Sequence, residues 1–350
     1  MPVQTRARAS GFVARTRPRS ALIISGAAAR GPYAAGVLTR LAAHDGFDIQ
    51  AVAGASSGAL NAAVFAAGLR VGQAARAAEM LERLWLESAN LSHILLWRWR
   101  RAIVREALAE FASGSTQAEV HLRVVVAALP GQQDRFGRLR FEQSYSYDAL
   151  DFQDDARLDH MAELCVASAA LPVLFRPRQV SGAGPFWDGG IVDNAPIGWA
   201  LKTAPVDHII VATSDSNQVH TRRYGRFSVS RLIQMLIDER LARDLHDAQS
   251  FNAELTRLDA KLDQVQRDSL RPSGQGFSGK GLALEVREQL NWRHLEFLEI
   301  RPEVELSGNI LSGFYSRHHR QDYIEAGHAA ADAALEAWDA TTVSTAAASA

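Results

Sequence analysis

Short apolar runs alternate with helical patterns along the first part of the chain. Residues 21–25 and 49–53 are apolar runs of strand length, and residues 33–43 between them have helical spacing of apolar positions. Continuous apolar runs of this length are typical of strands that are buried on both faces of a parallel sheet. A second helical pattern follows directly at 59–65. The order strand, helix, strand, helix predicts an α/β fold.

The remainder of the chain continues this mixture of strand and helix patterns. A Leu-Pro-Gly sequence at 129–131 predicts a turn after the third strand, and a Gly-rich stretch at 272–281 predicts a flexible break. Further strands are predicted at residues 122–128, 138–142, 186–187, 208–213 and 295–300. Further helices are predicted at residues 74–87, 94–111, 229–267 and 322–338.

The two ends of the chain differ in composition from the middle. Residues 1–20 carry five arginines and no acidic residue, which predicts a disordered basic arm, with docking on anionic lipid as the alternative. Residues 340–350 contain only Ala, Thr, Ser and Val, and we predict a disordered tail there. Between the ends we predict a core over 21–215 and a helical C-terminal part over 216–339 that completes the same domain.

Composition limits the partners of this protein. The chain has 350 residues, 47% of them hydrophobic, and a formal net charge of −1, so no overall charge attracts it to nucleic acid. It has no apolar stretch of about 20 residues and no signal-peptide core, which predicts a cytoplasmic or peripheral membrane protein. The single cysteine, Cys165, has apolar neighbours and is interpreted as a buried hydrophobe. The histidines lack metal-ligand spacing, so we predict neither a metal nor a cofactor.

The sequence Gly54-Ala55-Ser56-Ser57-Gly58 lies between the second predicted strand and the helix after it. A tight turn from strand to helix exposes the hydroxyl of a serine at its apex, and glycines on both sides let strand and helix approach. The position at a helix N-terminus also favours a developing oxyanion. Ser56 is therefore a candidate nucleophile; the alternative is an ordinary turn of small residues.

The position of this turn argues against an α/β-hydrolase with a Ser, Asp and His triad, because only two predicted strands precede Ser56. Downstream, Asp188 ends a short strand and is followed by two glycines, where it can act as the base; the alternative is an Asx turn. Asp193 is a competing carboxylate. We interpret Asp193 and Asn194 as caps of a helix that begins near Pro196.

Four segments together resemble the patatin-like phospholipase family. They are a loop and helix at 26–38, the serine turn at 54–58, the segment at 167–175, and Asp188-Gly189-Gly190 with the residues up to Pro196. The resemblance implies a three-layer α/β/α fold with a central, mostly parallel sheet, and a patatin-like catalytic core over 21–215. It also implies a Ser56–Asp188 dyad that works without a histidine. The implied oxyanion loop consists of Gly26, Ala27, Ala28, Ala29, Arg30 and Gly31.

The loop departs from the family pattern, which usually has three glycines before x-Arg-Gly. The second and third positions here are Ala27 and Ala28. Alanine keeps its N–H, but a position with positive φ would cost about 1 kcal/mol or more. We expect Arg30 either to fix the loop geometry or to meet a lipid phosphate.

The resemblance implies a lipid acyl hydrolase that cleaves fatty acyl esters of phospholipids or related glycerolipids. A soluble carboxylesterase or thioesterase with the same dyad is the first alternative. A weakly active or non-catalytic lipid-binding relative is the second, because of the altered loop. Trp97, Trp99 and the arginines beside them have the composition of a membrane-docking helix, with packing of the tryptophans on the core as the competing interpretation.

Overall fold

The computed structural model describes residues 17–90, 97–133, 137–172, 174–203, 206–216 and 295–348, together with scattered helical residues between 235 and 264. Most of the predicted basic arm, most of the helical pattern at 229–267 and the predicted break at 272–281 lie outside the described residues. The side chains of Trp97 and Trp99 also lie outside them, although both residues belong to a helix.

Strands and helices alternate along the described chain much as the sequence predicts. The strands are β1 Arg19–Ile24, β2 Asp48–Ala55, β3 His121–Gln133, β4 Leu139–Tyr147, β5 Arg178–Val180, β6 Gly184–Asp188, β7 His208–Ala212 and β8 Glu296–Ile300. The helices are α1 Gly31–Ala43, α2 Ser57–Arg70, α3 Ala74–Ser88, α4 Trp97–Ala112, α5 Asp155–Ser168, α6 Ile197–Thr203, α7 Ser312–Tyr315 and α8 Arg317–Ala348. Short 3-10 helices cover Ala28–Arg30, Asp151–Gln153 and Gly189–Ile191.

The eight strands form one mixed, mostly parallel sheet. Five strands run parallel in the order β8, β7, β1, β2, β3, while β4 and β6 are antiparallel to β3 and β5 is antiparallel to β6. The long strand β3 connects the parallel strands to the antiparallel strands β4 and β6. It pairs with β2 up to residue 125 and with β6 from residue 126, so β6 continues the edge along which β2 ends.

Alternating residues of the central strands face two different cores. Leu22 and Ile24 of β1 pack in the larger core with helices α1, α2, α3 and α5, while Ala21 and Ile23 pack on the opposite face with α6. All four side chains are fully buried. Burial on both faces explains why this strand is a continuous apolar run. The predicted three-layer α/β/α fold with a central, mostly parallel sheet is confirmed.

Three boundaries differ from the predictions. Strand β1 begins at Arg19, inside the predicted arm, where Arg19 Nε donates to Asp207 at 3.2 Å. Strand β3 continues through the predicted turn at 129–131, because Gln132 pairs with Arg140 after an irregularity in register. The predicted disordered tail is helical as far as Ala348, since Ala-rich sequence extends an existing helix without a new nucleation step.

Candidate active site

Strand β3 brings the two predicted catalytic residues together. Ala55, the last residue of β2, pairs with Val125, and Asp188, the last residue of β6, pairs with the next residue of β3, Val126. Because β2 and β6 are oppositely directed along the same edge of β3, their C-terminal ends meet. Ser56 follows Ala55 directly, so the sheet register places it beside Asp188.

The side chains of Ser56 and Asp188 are hydrogen-bonded. Ser56 Oγ donates to Asp188 Oδ2 at 2.7 Å, and the N–H of Gly190 donates to Asp188 Oδ1 at 2.8 Å. Both residues are buried. Burial raises the pKa of Asp188 to about 7, against the two hydrogen bonds, which lower it. A carboxyl group with a pKa near neutral pH is well matched to transferring a proton to and from a hydroxyl group.

The serine turn has the strained backbone that its sequence predicts. Ser56 has φ 55° and ψ −130°, a conformation that non-glycine residues rarely adopt. A Cβ on Gly54 would lie 2.5 Å from the carbonyl oxygen of Gly58, and one on Gly58 would lie 2.2 Å from that of Ile24. Both positions therefore require glycine for the close approach of strand and helix.

Ser168 holds the main chain of Ser56 to the sheet. The N–H of Ser56 donates to Ser168 Oγ at 2.9 Å, and Ser168 Oγ donates to the carbonyl oxygen of Val125 at 2.6 Å. All three groups are buried. The same strand residue, Val125, thus pairs with the end of β2 and anchors the turn that follows it.

The predicted oxyanion loop follows β1 and packs against the serine turn. Most of its main-chain N–H groups are already hydrogen-bonded within the protein. The N–H of Gly26 donates to Asn194 Oδ1, that of Ala27 to Ser57 Oγ and that of Ala29 to the carbonyl oxygen of Ile310. Within the loop, the N–H of Arg30 donates to the carbonyl oxygen of Ala27 and that of Gly31 to the carbonyl oxygen of Ala28. The N–H of Ala28 has no acceptor among the residues that the structure describes. Ala28, Ser56 and Ser57 line the same cavity.

Ala28 also carries the backbone strain of the loop. Its φ is 46°, whereas Ala27 has φ −142°, so of these two residues only Ala28 has a conformation that favours glycine. The energetic cost is about 1–2 kcal/mol. Ala28 is buried against Leu171 and Ile310, and these contacts offset part of that cost.

Gly26 and Asn194 connect the loop to the segment that follows Asp188. Asn194 Oδ1 accepts from Gly26 N–H at 3.0 Å, and its Nδ2 donates to the Gly26 carbonyl at 3.3 Å. A Cβ on Gly26 would lie 2.5 Å from Asn194 Oδ1 and 2.8 Å from Ser56 Cβ. The predicted role of Asn194 as a helix cap is thus replaced by a role in positioning the loop.

Two further carboxyl groups lie behind Asn194. Asp244 Oδ2 accepts from the N–H of Asn194 at 2.9 Å and from that of Ala195 at 3.2 Å. Burial, followed by the negative charge of Asp244, raises the pKa of Asp193 to about 7. It is Asp188, not Asp193, that accepts the hydrogen bond of Ser56.

Arg30 and Gly31 have structural contacts. Arg30 is 3% exposed, and its Nη2 donates to the carbonyl oxygens of Leu306 and Gly308 at 3.3 Å each. Of the two expectations for Arg30, its contacts match the one that fixes the loop geometry. A Cβ on Gly31 would lie 2.4 Å from the ring of Trp85, so this glycine lets helix α1 approach α3.

An apolar cavity of about 120 Å³ adjoins Ser56. Ser57, at the first position of helix α2, also lines this cavity, and its main-chain N–H has no acceptor among the described residues. Helices α2, α3 and α4 provide most of the apolar wall, with Leu60, Val64, Leu81, Leu84, Ile103 and Val104. The cavity thus joins a hydrogen-bonded serine to a space suited to hydrocarbon.

The other candidate groups are placed away from this chemistry. Cys165 is buried, and burial raises its pKa to about 12, so its thiol remains protonated at neutral pH. Within the described ranges, no three His, Cys, Asp or Glu side chains come together as a metal ion would require. None of the helices described there has the length and apolar composition needed to cross a membrane.

The sequence predicted no role for Ser168, and it predicted a helix cap at Asn194, whose side chain instead bonds the main chain of Gly26. Both lie in segments that carry the family resemblance, so their positions in those motifs were the available signal. Asp244 lies in a charge-laced helical pattern and carries no such signal. Its contact with Asn194 crosses 50 residues of sequence, which no local pattern encodes.

The fold and this site define an α/β protein with a serine at a strand-to-helix turn and an aspartate as its partner. The family model of patatin-like phospholipases matches residues 22–201, and the chain belongs to this family. Among solved structures it is similar to VipD from Legionella pneumophila, at 14% identity and a TM-score of 0.40, over 92% of this chain and 67% of that one. No curated protein sequence matches the chain.

Proposed function

We propose that this protein is a lipid acyl hydrolase that cleaves fatty acyl esters through a Ser56–Asp188 dyad. The observation that carries the proposal is the 2.7 Å hydrogen bond between Ser56 Oγ and Asp188 Oδ2 beside the apolar cavity. Membership of the patatin-like phospholipase family supports a lipid substrate. The phospholipids and related glycerolipids named from the sequence are the proposed substrates.

The proposed reaction has two stages, acylation and deacylation, and the same aspartate takes up and returns a proton in each. Asp188 takes the proton of Ser56 Oγ as this oxygen attacks the ester carbonyl carbon, and the proton then passes to the leaving alcohol. The resulting acyl-enzyme is hydrolysed when Asp188 takes a proton from water and the new hydroxide oxygen attacks the same carbon. Collapse of that intermediate returns a proton to Ser56 and releases the fatty acid.

Two main-chain donors are proposed to bind the oxyanion of these steps. Ala28 and Ser57 line the cavity with Ser56, and the main-chain N–H of neither has an acceptor among the described residues. The N-terminal end of α2 adds the positive end of the helix dipole at Ser57. Removing one donor of an oxyanion hole typically lowers kcat about a hundredfold or more, so the strained loop at Ala28 is central to activity.

The acyl chain is proposed to occupy the cavity, with its ester carbonyl at Ser56. The apolar side chains of α2, α3 and α4 would then replace water around the chain. Helix α4 begins at Trp97, and contact of Trp97, Trp99 and the neighbouring arginines with a lipid surface is part of the proposal. Unchanged vesicle binding after both tryptophans are replaced by alanine would contradict this contact.

Labelling with a fluorophosphonate tests the dyad. We expect the wild type to be labelled, Ser56→Ala to be unlabelled, and Asp188→Asn to be labelled at least a hundredfold more slowly because it lacks the base. Cys165→Ala serves as a control that should label like the wild type. Absence of labelling in the wild type would favour a non-catalytic lipid-binding protein. Labelling without hydrolysis of phospholipid vesicles, but with hydrolysis of soluble short-chain esters or thioesters, would favour the esterase.

A further inference from the structure

Among the described residues, one charged side chain in the lining of the cavity has no counter-ion. Arg100, in the first turns of α4, lines the cavity that also contains Ser56. Its Nε and Nη2 are buried and reach no hydrogen-bond acceptor. Among the described residues no carboxylate lies within ion-pair distance of Arg100. Burial, followed by the charge of Arg178, lowers its pKa to about 10, so the group stays charged at neutral pH.

Two other arginines of α4 are neutralised by acidic residues. Arg101 Nε lies 3.1 Å from Glu163, and Arg105 Nε lies 2.8 Å from Asp159, both on the facing helix α5. The acidic residues of α5 thus pair with the arginines on one side of α4. Arg100 faces the cavity instead, where an unpaired buried charge is costly unless a ligand supplies its partner.

A second cation and an aromatic ring complete the arrangement. The guanidinium carbon of Arg100 lies 4.6 Å from the ring centroid of Phe175, and that of Arg178 lies 6.0 Å from the same centroid. Phe175 also lines the cavity. The ring therefore places two guanidinium groups near one another and near the cavity, where their combined positive charge attracts an anion.

We propose that Arg100, with Arg178 beside it, forms a subsite for the phosphate of the acyl ester that Ser56 cleaves. This inference rests on the proposed function and sharpens it, because it makes the enzyme selective for phosphate-bearing lipids over neutral glycerolipids. A guanidinium offers parallel N–H donors that match phosphate oxygens, and its hydrogen bonds to an anion are strongest where water is excluded. The subsite binds a group remote from the scissile bond, so it contributes mainly to KM.

Two short-chain substrates with the same acyl groups separate the subsite from the dyad. Dihexanoylphosphatidylcholine carries the phosphate and dihexanoylglycerol lacks it, and both are used below their micelle concentration so that surface binding does not enter. We expect Arg100→Gln to lower kcat/KM for the phosphate-bearing ester about tenfold to a hundredfold, mostly through KM. For the neutral ester we expect a change of less than about threefold. Arg100→Lys should recover part of the loss, and the acid-paired Arg105→Gln should change neither value.

A binding measurement keeps the subsite testable even if the catalytic proposal fails. In the Ser56→Ala background, calorimetric titration with dihexanoylphosphatidylcholine should show at least tenfold weaker binding when Arg100→Gln is added. Equal binding in the two proteins, or equal losses on both esters, would overturn the phosphate subsite while leaving the dyad intact. If hexanoate binding depends on Arg100 and phosphatidylcholine binding does not, the subsite serves the fatty acid product and the phosphate proposal is wrong.

Discussion

Replacing Ser168 with alanine should both destabilise the fold and slow the reaction. The substitution leaves the buried N–H of Ser56 without its acceptor and removes the donor to the carbonyl oxygen of Val125. An unpaired buried main-chain group costs about 1–3 kcal/mol, and loss of the second hydrogen bond costs about 1 kcal/mol. We therefore expect the free energy of unfolding to fall by about 2–4 kcal/mol, which a protein of ordinary stability survives.

The effect on activity follows from the strain at the serine. With φ 55° and ψ −130°, the backbone of Ser56 would relax if its N–H were released, and strain of this kind amounts to about 1–3 kcal/mol. Relaxation turns Ser56 Oγ away from Asp188. We expect kcat for a soluble acyl ester to fall about tenfold or more, with little change in KM, because the cavity that binds the acyl chain is retained.

A matched variant on the same helix distinguishes this hydrogen bond from simple loss of packing. Cys165 is also fully buried in α5, but its Sγ makes only a long contact of 3.7 Å with the carbonyl oxygen of Ala59. Cys165→Ala should cost about 1 kcal/mol in urea unfolding and leave kcat unchanged. If Ser168→Ala matches Cys165→Ala in both measurements, the proposed anchoring of the serine turn is refuted.

Three further outcomes follow from the site. The kcat/KM for a soluble ester should rise with pH through about 7 as Asp188 loses its proton, since burial raises its pKa to that value. Gly189→Ala should lower the free energy of unfolding by about 3 kcal/mol or more, because its Cβ would lie 2.0 Å from the carbonyl oxygen of Val125. Ala28→Gly should change stability by less than about 1 kcal/mol, since relief of strain at φ 46° offsets the lost methyl contacts and the added chain entropy.

Each of these outcomes has its own check. The native state keeps the Asp188 proton up to about pH 7, whereas the unfolded chain releases it near its ordinary value of 3.8. Stability should therefore fall as pH rises between these values, by up to about 1.4 kcal/mol per pH unit relative to Asp188→Asn. Gly198→Ala adds a Cβ to α6 with no atom within 4 Å and should stabilise the protein. Ala27→Gly, at φ −142°, relieves no strain and should cost about 1 kcal/mol; equal effects at 27 and 28 would contradict the strain argument.

The local pattern of the sequence predicted most strands and most of the longer helices, although not α5, because apolar runs and helical spacing report burial directly. It also located the turn at Ser56, because the glycines on both sides of the serine form a local sequence motif, although Gly58 is needed for a contact with the distant carbonyl oxygen of Ile24. Two predictions from local composition were wrong, one because of strand pairing and the other because an existing helix continues. The turn at 129–131 became part of β3, and the tail became part of α8.

In the predicted oxyanion loop, too, the sequence identifies the residues and the tertiary structure decides their contacts. Its sequence identifies six residues with main-chain donors, but five of these N–H groups are used by partners in the loop itself and in distant segments. Only the tertiary structure shows that the positive φ falls on Ala28 rather than Ala27. Likewise, the composition around Trp97 and Trp99 predicted a membrane-docking helix or packing of the tryptophans on the core, and neither interpretation distinguishes one arginine from another. Packing of α4 on α5 decides that Arg101 and Arg105 pair with acidic residues, whereas Arg100 lines the cavity with no carboxylate partner among the described residues.

By itself, the sequence determined most elements of this protein, the identity of the serine turn and the membership of a family. The tertiary structure decided which groups act on one another. Ser56 and Asp188 meet because β2 and β6 end at consecutive residues of β3 from opposite directions. That meeting depends on the register and direction of strand pairing over more than a hundred residues, and local side-chain patterns do not specify long-range pairing.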